Sequence, residues 1–349
     1  MGALAKRRIR LTAVWTAAAV AVAGGLFWAS GGYDAWRHDR ALDSACDGDL
    51  AAGPLRALLD GTEVTTEHIS GARTWRCKVY EADREDGLAR VMVSVQRADR
   101  RAVAVDAEPA DAPLGNGWTG GFSFTPGTDE DGRGEASATI LLDCGKEPGE
   151  GLIADVSARV DRADFTKAPA RARLTELLTT TAMSYARRTG CAAKPGGAVV
   201  APGVSATDPK PFAAVSGACA GVLDAATAAR WGVRTAVESA AGPKAVEGCT
   251  LGGALGPLYE LRATYGPFVG TKLAFAREAG PGDRADGHYY LTARCPGAGD
   301  TAVYEIDSPA EGAARPVPDH PGLRAALARF AAASAKTHGC VLERPSAGS

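Results

Sequence analysis

Eight cysteines are the residues whose type and spacing point most directly to chemistry. They fall into two sets of four, with intervals of 31, 67 and 47 residues in the first set and 30, 46 and 45 in the second. Cysteines at recurring spacing predict disulfides in an oxidising compartment, and the sequence has no CxxC motif or histidine-rich cluster that would favour a metal site. The two sets are Cys46, Cys77, Cys144 and Cys191, then Cys219, Cys249, Cys295 and Cys340.

Four cysteines allow three pairings in each set. We favour first with second and third with fourth, because each bridge would then join a helix to a strand. A loop of about 30 residues gives roughly 3–4 kcal/mol per bridge in the loop-entropy model, which would help an alanine-rich core. The predicted bridges are Cys46–Cys77, Cys144–Cys191, Cys219–Cys249 and Cys295–Cys340.

The cysteine sets also indicate an internal duplication. Both open with Cys-x-Gly-x-Leu, at Cys46 and Cys219, and both close with Gly-Cys, at Cys191 and Cys340. An apolar stripe at helical spacing precedes each closing cysteine. Only the middle interval differs, by 21 residues, and we interpret this insertion as an elaborated hairpin, with a ligand-facing loop as the alternative.

Three further patterns have plain structural interpretations. Residues 115–120 match GxGxxG, but strand-like residues follow, which favours a glycine-rich turn over a dinucleotide site. The acidic run at 129–132 lacks the distal Glu of a calcium loop and is interpreted as a solvated loop. Arg97, Arg100 and Arg101 are interpreted as a charged strand edge, with binding of anionic lipid or polymer as the alternative.

The five histidines are dispersed and carry no local hydrolase signature. His338, at a predicted helix end, is interpreted as a cap that suits the helix dipole. We therefore predict no catalytic, cofactor-binding or metal-ligating residue and no cofactor, and an enzyme is the less favoured class. The histidines are His38, His68, His288, His320 and His338.

Local patterns predict the elements of each repeat. Asp224 as N-cap and Gly232 as stop bound a short helix over 225–231, and a counterpart follows Cys46. Alternating apolar residues predict antiparallel strands at 91–95, 152–160, 259–265 and 289–295. The predicted fold class is α+β: an N-terminal transmembrane helix followed by two tandem repeats, each an antiparallel sheet with a short N-terminal helix and a longer C-terminal helix, stapled by disulfides.

The first thirty residues predict attachment to a membrane. Four cations within residues 1–10 precede twenty uncharged residues at 11–30, enough for a helix of about 30 Å. The positive-inside rule places the basic tail in the cytoplasm and the remainder outside. A cleaved signal peptide with Ala21-Val22-Ala23 as its cleavage pattern is the alternative.

The length of 349 residues predicts two domains. The predicted boundaries are a basic cytoplasmic tail at 1–10, a signal-anchor helix at 11–30, a juxtamembrane tether at 31–45, a first α+β repeat at 46–191, a Pro/Gly-rich linker at 192–215, a second repeat at 216–341 and a C-terminal tail at 342–349.

Net charge narrows the classes of partner. The formal charge is -2, and without the four tail cations 35 Lys and Arg face 41 acids. An acidic exterior does not favour nucleic acid, whose binding requires clustered cations. The expected partners are the membrane, through the single N-terminal span, and an envelope protein or a small-molecule ligand.

The placement of Cys46, Cys77, Cys219 and Cys249, each set opening before a short helix and continuing on an early strand, resembles poorly characterised membrane-anchored or secreted envelope proteins of actinobacteria. The resemblance covers about residues 42–345 and implies an envelope location with a binding or scaffolding role. The predicted function is thus an extracytoplasmic, single-pass module that binds a ligand or partner. The alternative is an exported hydrolase of cell-wall or peptide substrates with a dispersed active site.

Overall fold

The computed structural model describes residues 40–82, 88, 90–98, 112–125, 134–145, 150–160, 163–203, 208–269, 273, 287–308 and 319–343. Two seven-stranded antiparallel sheets dominate this part of the chain. We call residues 45–191 the first half and residues 208–343 the second half.

The first half forms one sheet with two helices against its inner face. Helix α1 begins at Ala52 without a side-chain cap and ends where Asp60 adopts a left-handed conformation. Leucines 174, 177 and 178 of helix α2 are fully buried with the inner face of the sheet in the first hydrophobic core. The elements are α1 (Ala52–Leu59), β1 (Val64–Ser70), β2 (Thr74–Glu81), β3 (Val91–Ala98), β4 (Ala112–Gly115), β5 (Trp118–Thr125), β6 (Glu135–Asp143), β7 (Gly151–Ala158) and α2 (Ala168–Arg188).

The second half repeats this layout with shorter connections. Helix α3 begins after Asp224, whose carboxylate accepts the Thr227 N–H, and ends at the left-handed Gly232, as predicted. The elements are β8 (Lys210–Pro211), α3 (Ala225–Trp231), β9 (Thr235–Glu238), β10 (Val246–Gly252), β11 (Pro257–Tyr265), β12 (Tyr289–Arg294), β13 (Thr301–Asp307), α4 (His320–His338) and β14 (Val341–Leu342).

The two sheets share a five-strand core. The first sheet has the order β1-β2-β3-β7-β6-β5-β4 and the second β8-β9-β10-β11-β13-β12-β14. The run β1-β2-β3-β7-β6 therefore corresponds to β9-β10-β11-β13-β12. The first sheet continues beyond this core as the β4–β5 hairpin, which lies in the 21-residue insertion, so the interpretation of that insertion as a hairpin is confirmed.

All four predicted disulfide pairings are confirmed. Cys46–Cys77 and Cys219–Cys249 tie the segment before a short helix to the second core strand, with Cα atoms 5.8 and 5.0 Å apart. Cys144–Cys191 and Cys295–Cys340 tie the chain after the long helix to the end of β6 or β12. Four bridges place the described part of the protein in an oxidising, extracytoplasmic environment.

The predicted α+β fold class is wrong. The described chain consists mostly of strands with few helices, and the sequence underestimated the sheet because several strands lack apolar alternation. Strand β1 is largely exposed, and β5 places Gly120 where an added Cβ would lie 2.1 Å from the Thr139 carbonyl oxygen. No helix among the described residues is long and apolar enough to cross a bilayer, and residues 11–30 lie outside them.

The linker predicted at 192–215 packs against the inserted hairpin. The hairpin turns at Asn116 and Gly117, which both have positive φ, so the expected glycine-rich turn occupies these two residues, and residues 118–120 already belong to β5. The Trp118 indole N–H donates to the Gly197 carbonyl at 3.0 Å, and the Gly197 N–H donates to the Asn116 carbonyl at 2.6 Å. The last part of the predicted linker joins the second sheet as edge strand β8.

The outer face of the first sheet contacts two short 3-10 turns of the second half. Ala298 lies in the turn Gly297–Gly299 and packs with Leu141 and Ile153, and Phe268 of the turn Gly266–Val269 lies against the same cluster. Gly151 admits this approach because a Cβ there would lie 2.8 Å from the Ala298 Cβ.

Candidate functional site

A buried polar network lies between the inner face of the second sheet and helix α4. Glu247 of β10 accepts a hydrogen bond from Ser334 Oγ at 2.5 Å, and its other carboxylate oxygen lies 2.7 Å from His338 Nε2. The side chains of Glu247 and His338 are each 8% exposed. A carboxylate this deeply buried requires such partners because burial without them is costly.

Two tyrosines extend the network across the sheet. The Tyr265 hydroxyl hydrogen-bonds Ser334 Oγ and lies 3.4 Å from the Tyr304 hydroxyl. The imidazole of His338 stacks on the Tyr265 ring with centroids 3.7 Å apart. Burial raises the pKa of Tyr304 to about 12 and raises the pKa of Tyr265 further, with the Glu247 charge acting in the same direction on both. Both phenols are therefore neutral hydrogen-bonding groups at physiological pH.

The interpretation of His338 as a helix cap did not include its main contact. The residue does end α4, but its ring turns to Glu247, which lies 91 residues earlier in the chain. A contact at this sequence separation leaves no local pattern. An alignment of the two halves on their cysteines does single out Glu247 and Ser334, because it places these polar residues of the second half opposite aromatic residues of the first.

The first half carries different chemistry at the matching positions. Trp75 and Glu247 both stand two residues before the strand cysteine, and Tyr185 and Ser334 both stand six residues before the closing cysteine. Trp75 packs on Tyr185 with ring centroids 5.9 Å apart, so an aromatic pair fills the space in which Glu247 bonds Ser334. The fold accepts an apolar filling here, and the polar network is not needed to build it.

The network does not have the geometry of a serine hydrolase. A nucleophilic serine needs a base within hydrogen-bond reach. Ser334 gives its hydrogen bond to Glu247, which also holds His338, so the carboxylate stands between the hydroxyl and the imidazole. No group of three or more metal-binding side chains occurs among the described residues either.

A cavity of about 380 Å³ opens in the first half where β3 ends, β7 begins and α2 terminates. Arg73 of the β1–β2 turn and Arg97 of β3 are both exposed and line it, and the Arg97 N–H donates to the Arg73 carbonyl at 3.1 Å. Arg97 has no ion-pair partner among the described residues. Glu150 is the one carboxylate among the described lining residues, and the Cys144–Cys191 bridge forms part of the wall.

A second cavity, of about 190 Å³, lies between the two halves. Thr119, Leu141 and Asp143 line it from the first half, and Tyr265, Pro296 and His338 are among the residues lining it from the second. Its position matches that of the first cavity, because His338 and Thr189 both stand two residues before a closing cysteine and each lines its own cavity. The duplicated fold thus has a cavity beside the helix-ending disulfide in both halves.

The other residues considered in the sequence are not brought together. His68 lies 3.6 Å from Asp47 on the exposed edge of the first sheet, and His320 Nδ1 contacts the Tyr289 hydroxyl at the start of α4. His288 lies near Tyr290 on the outer face of the second sheet. His38, Arg100, Arg101 and the acidic run at 129–132 lie outside the described residues.

Comparison of the chain with models of protein families, with curated proteins and with solved structures finds no match.

Proposed function

We propose that this protein is an extracytoplasmic binding module of the cell envelope, and that the 380 Å³ cavity of the first half holds a ligand bearing a phosphate or carboxylate group. The observation that carries this proposal is the pair of arginines, Arg73 and Arg97, among the residues that line a cavity of ligand size.

The charge balance of the cavity favours an anion. Among the described lining residues, two arginines face one carboxylate, Glu150. The Arg97 guanidinium has no ion-pair partner within this part of the chain and is the cation available to a ligand. A guanidinium donates two parallel hydrogen bonds to a carboxylate or phosphate, which makes arginine suited to such ligands.

Attachment of the protein to the cell membrane is part of the same proposal. Four disulfides support an extracytoplasmic site. The distribution of cations and apolar residues within residues 1–30 supports attachment to the cell membrane with the N-terminus in the cytoplasm. A partner protein bound on the same side of the membrane remains compatible with a ligand-binding module.

Titration calorimetry with inorganic phosphate, glycerol phosphate and lactate tests the anion site. We expect saturable binding of at least one probe, and a loss of about tenfold or more in affinity in the variant Arg73→Ala/Arg97→Ala, since hydrogen bonds to charged groups contribute about 1.5–3 kcal/mol. Arg187→Ala is the matched control, because Arg187 is an exposed cation in the last turn of the same helix. Equal affinity in the double variant, or no saturable binding of any probe, would rule the proposal out.

A further inference from the structure

The cavity between the two halves has a chemistry opposite to that of the arginine cavity. Of the residues that the structure describes in its lining, Asp143 is the one carboxylate, and none is a lysine or an arginine. Thr119 adds a hydroxyl, and Tyr265 adds an aromatic ring. The described wall therefore favours a ligand that donates hydrogen bonds and carries positive charge.

The polar network holds His338 in one orientation beside this cavity. Its Nε2 faces Glu247, its ring stacks on Tyr265, and Nδ1 has no hydrogen-bond partner among the described residues. When the imidazole is neutral, the bond to Glu247 places the hydrogen on Nε2 and leaves Nδ1 as an acceptor. Glu247 is thus a positioning residue for a histidine that lines the cavity.

Asp143 is also held in place. Its Oδ1 accepts the Gly145 N–H at 2.9 Å, and the carboxylate lies so close to Gly297 that a Cβ there would meet Oδ2 at 2.1 Å. Gly297 has a φ of +61°, which further favours glycine. The carboxylate of the first half and the imidazole of the second are therefore fixed on the wall of one cavity before any ligand enters.

We infer that this junction cavity is a second binding site, for a small ligand bearing a primary ammonium group. Asp143 accepts hydrogen bonds from the ammonium and balances its charge, and His338 Nδ1 accepts from an N–H or O–H of the same ligand. The Glu247–His338 pair is not needed to build this fold. The first half has Trp75 at the position of Glu247 and Thr189 at the position of His338.

Two probes of similar size separate charge recognition from simple filling of the cavity. Ethanolamine carries the ammonium group, and ethylene glycol replaces it with a neutral hydroxyl. Amide NMR spectra of the disulfide-bonded protein are recorded during titration with each. We expect saturable shifts with ethanolamine at residues around the cavity, and a response to ethylene glycol at least tenfold weaker. Equal responses, or shifts that rise linearly without saturation, would overturn the inference.

Asp143→Asn tests the carboxylate directly. Asparagine matches the shape of aspartate and still accepts the Gly145 N–H through its amide oxygen, so we expect a folded variant that loses ethanolamine affinity by tenfold or more. Glu135→Gln, at the other end of the same strand, is the control and retains full affinity. An unchanged affinity in Asp143→Asn contradicts the inference. If that variant does not fold, the comparison of ethanolamine with ethylene glycol on the unmodified protein tests the inference by itself.

The junction site is independent of the proposed anion site. The variant Arg73→Ala/Arg97→Ala should retain the ethanolamine response, because neither arginine lines the junction cavity. Loss of that response together with anion binding would mean that the amine acts through the arginine cavity, and the inference would be wrong while the proposed function stood.

Discussion

Glu247 stands in the second sheet where Trp75 stands in the first. Trp75 pairs with Val95 and Glu247 with Ala263, each two positions along its strand from the pairs Cys77–Val93 and Cys249–Leu261 and therefore on the same face of each sheet. A large apolar side chain has thus been exchanged for a carboxylate at a position that is buried in both halves. The residue on the long helix that contacts this position differs in the same way: the aromatic Tyr185 packs on Trp75, and the hydroxyl of Ser334 donates a hydrogen bond to Glu247.

Glu247→Gln should destabilise the protein by about 1–3 kcal/mol, because it weakens two charge-assisted hydrogen bonds in a buried site. Urea unfolding monitored by circular dichroism measures the free energy of unfolding. Glu135→Gln provides the comparison, since Glu135 pairs with Arg159 at the surface with both side chains half exposed, and exposed pairs contribute about 0–1 kcal/mol. Similar losses in the two variants would show that the buried network has no special energetic weight.

Stability should fall at high pH as Tyr304 ionises. Burial raises the pKa of its phenol from 10 to about 12 in the folded protein, so between these values the folded state binds more protons than the unfolded state. The contribution of Tyr304 to the free energy of unfolding is therefore fully present below pH 10 and decreases as pH rises toward 12, by on the order of 2 kcal/mol. Urea titrations at several pH values measure the slope.

Tyr304→Phe is the informative variant for that slope. The one hydrogen-bond contact of the Tyr304 hydroxyl within the described part of the chain is the long contact with Tyr265, at 3.4 Å, so its removal should cost little at neutral pH. The decline in stability above pH 10 should become shallower. An unchanged slope would mean that Tyr265 or other groups account for alkaline unfolding.

The four disulfides should be reduced in a fixed order. Cys77, Cys219 and Cys249 are fully buried, whereas Cys191, Cys295 and Cys340 are partly accessible beside cavities or at helix ends. Limited treatment with dithiothreitol, followed by alkylation and mass spectrometry, should therefore label Cys144–Cys191 and Cys295–Cys340 before the two core bridges. Simultaneous labelling of all eight cysteines would show that reduction requires global unfolding.

Gly196→Ala should release the linker from the inserted hairpin. A Cβ at Gly196 would lie 2.7 Å from three ring atoms of Trp118, whereas a Cβ at Gly203 would be 3.7 Å from Ala112 in ordinary contact. Thermolysin cleavage before the exposed Val200 should become several-fold faster in Gly196→Ala and stay unchanged in Gly203→Ala. Equal cleavage rates in both variants would show that Trp118 does not hold this segment.

Features with local causes could be predicted from the sequence. Asp224 and Gly232 bound α3 because capping depends on residues within one turn, and Asn116-Gly117 forms the tight turn because both residues accept positive φ. The pairing of the cysteines followed from their position relative to helices and strands.

Features that depend on distant contacts could not. Gly120 and Gly121 give β5 no alternation, yet the strand forms because glycine lets it approach the neighbouring β6 closely. The contact of His338 with Glu247 joins residues that are 91 positions apart in the second half. The cavity built from Asp143 and His338 arises only when the two halves come together. Sheet content and the candidate sites were missed for this common reason.

The insertion in the first half has a consequence for the whole chain. Two similar halves joined by a loose connection would be prone to domain swapping, in which the second half of one molecule packs on the first half of another. Here Trp118 and Asn116 bind the connecting segment at Gly197 within a few residues of its start. The inserted hairpin therefore fixes the path of the connecting segment at Gly197, which opposes its extension toward a second molecule.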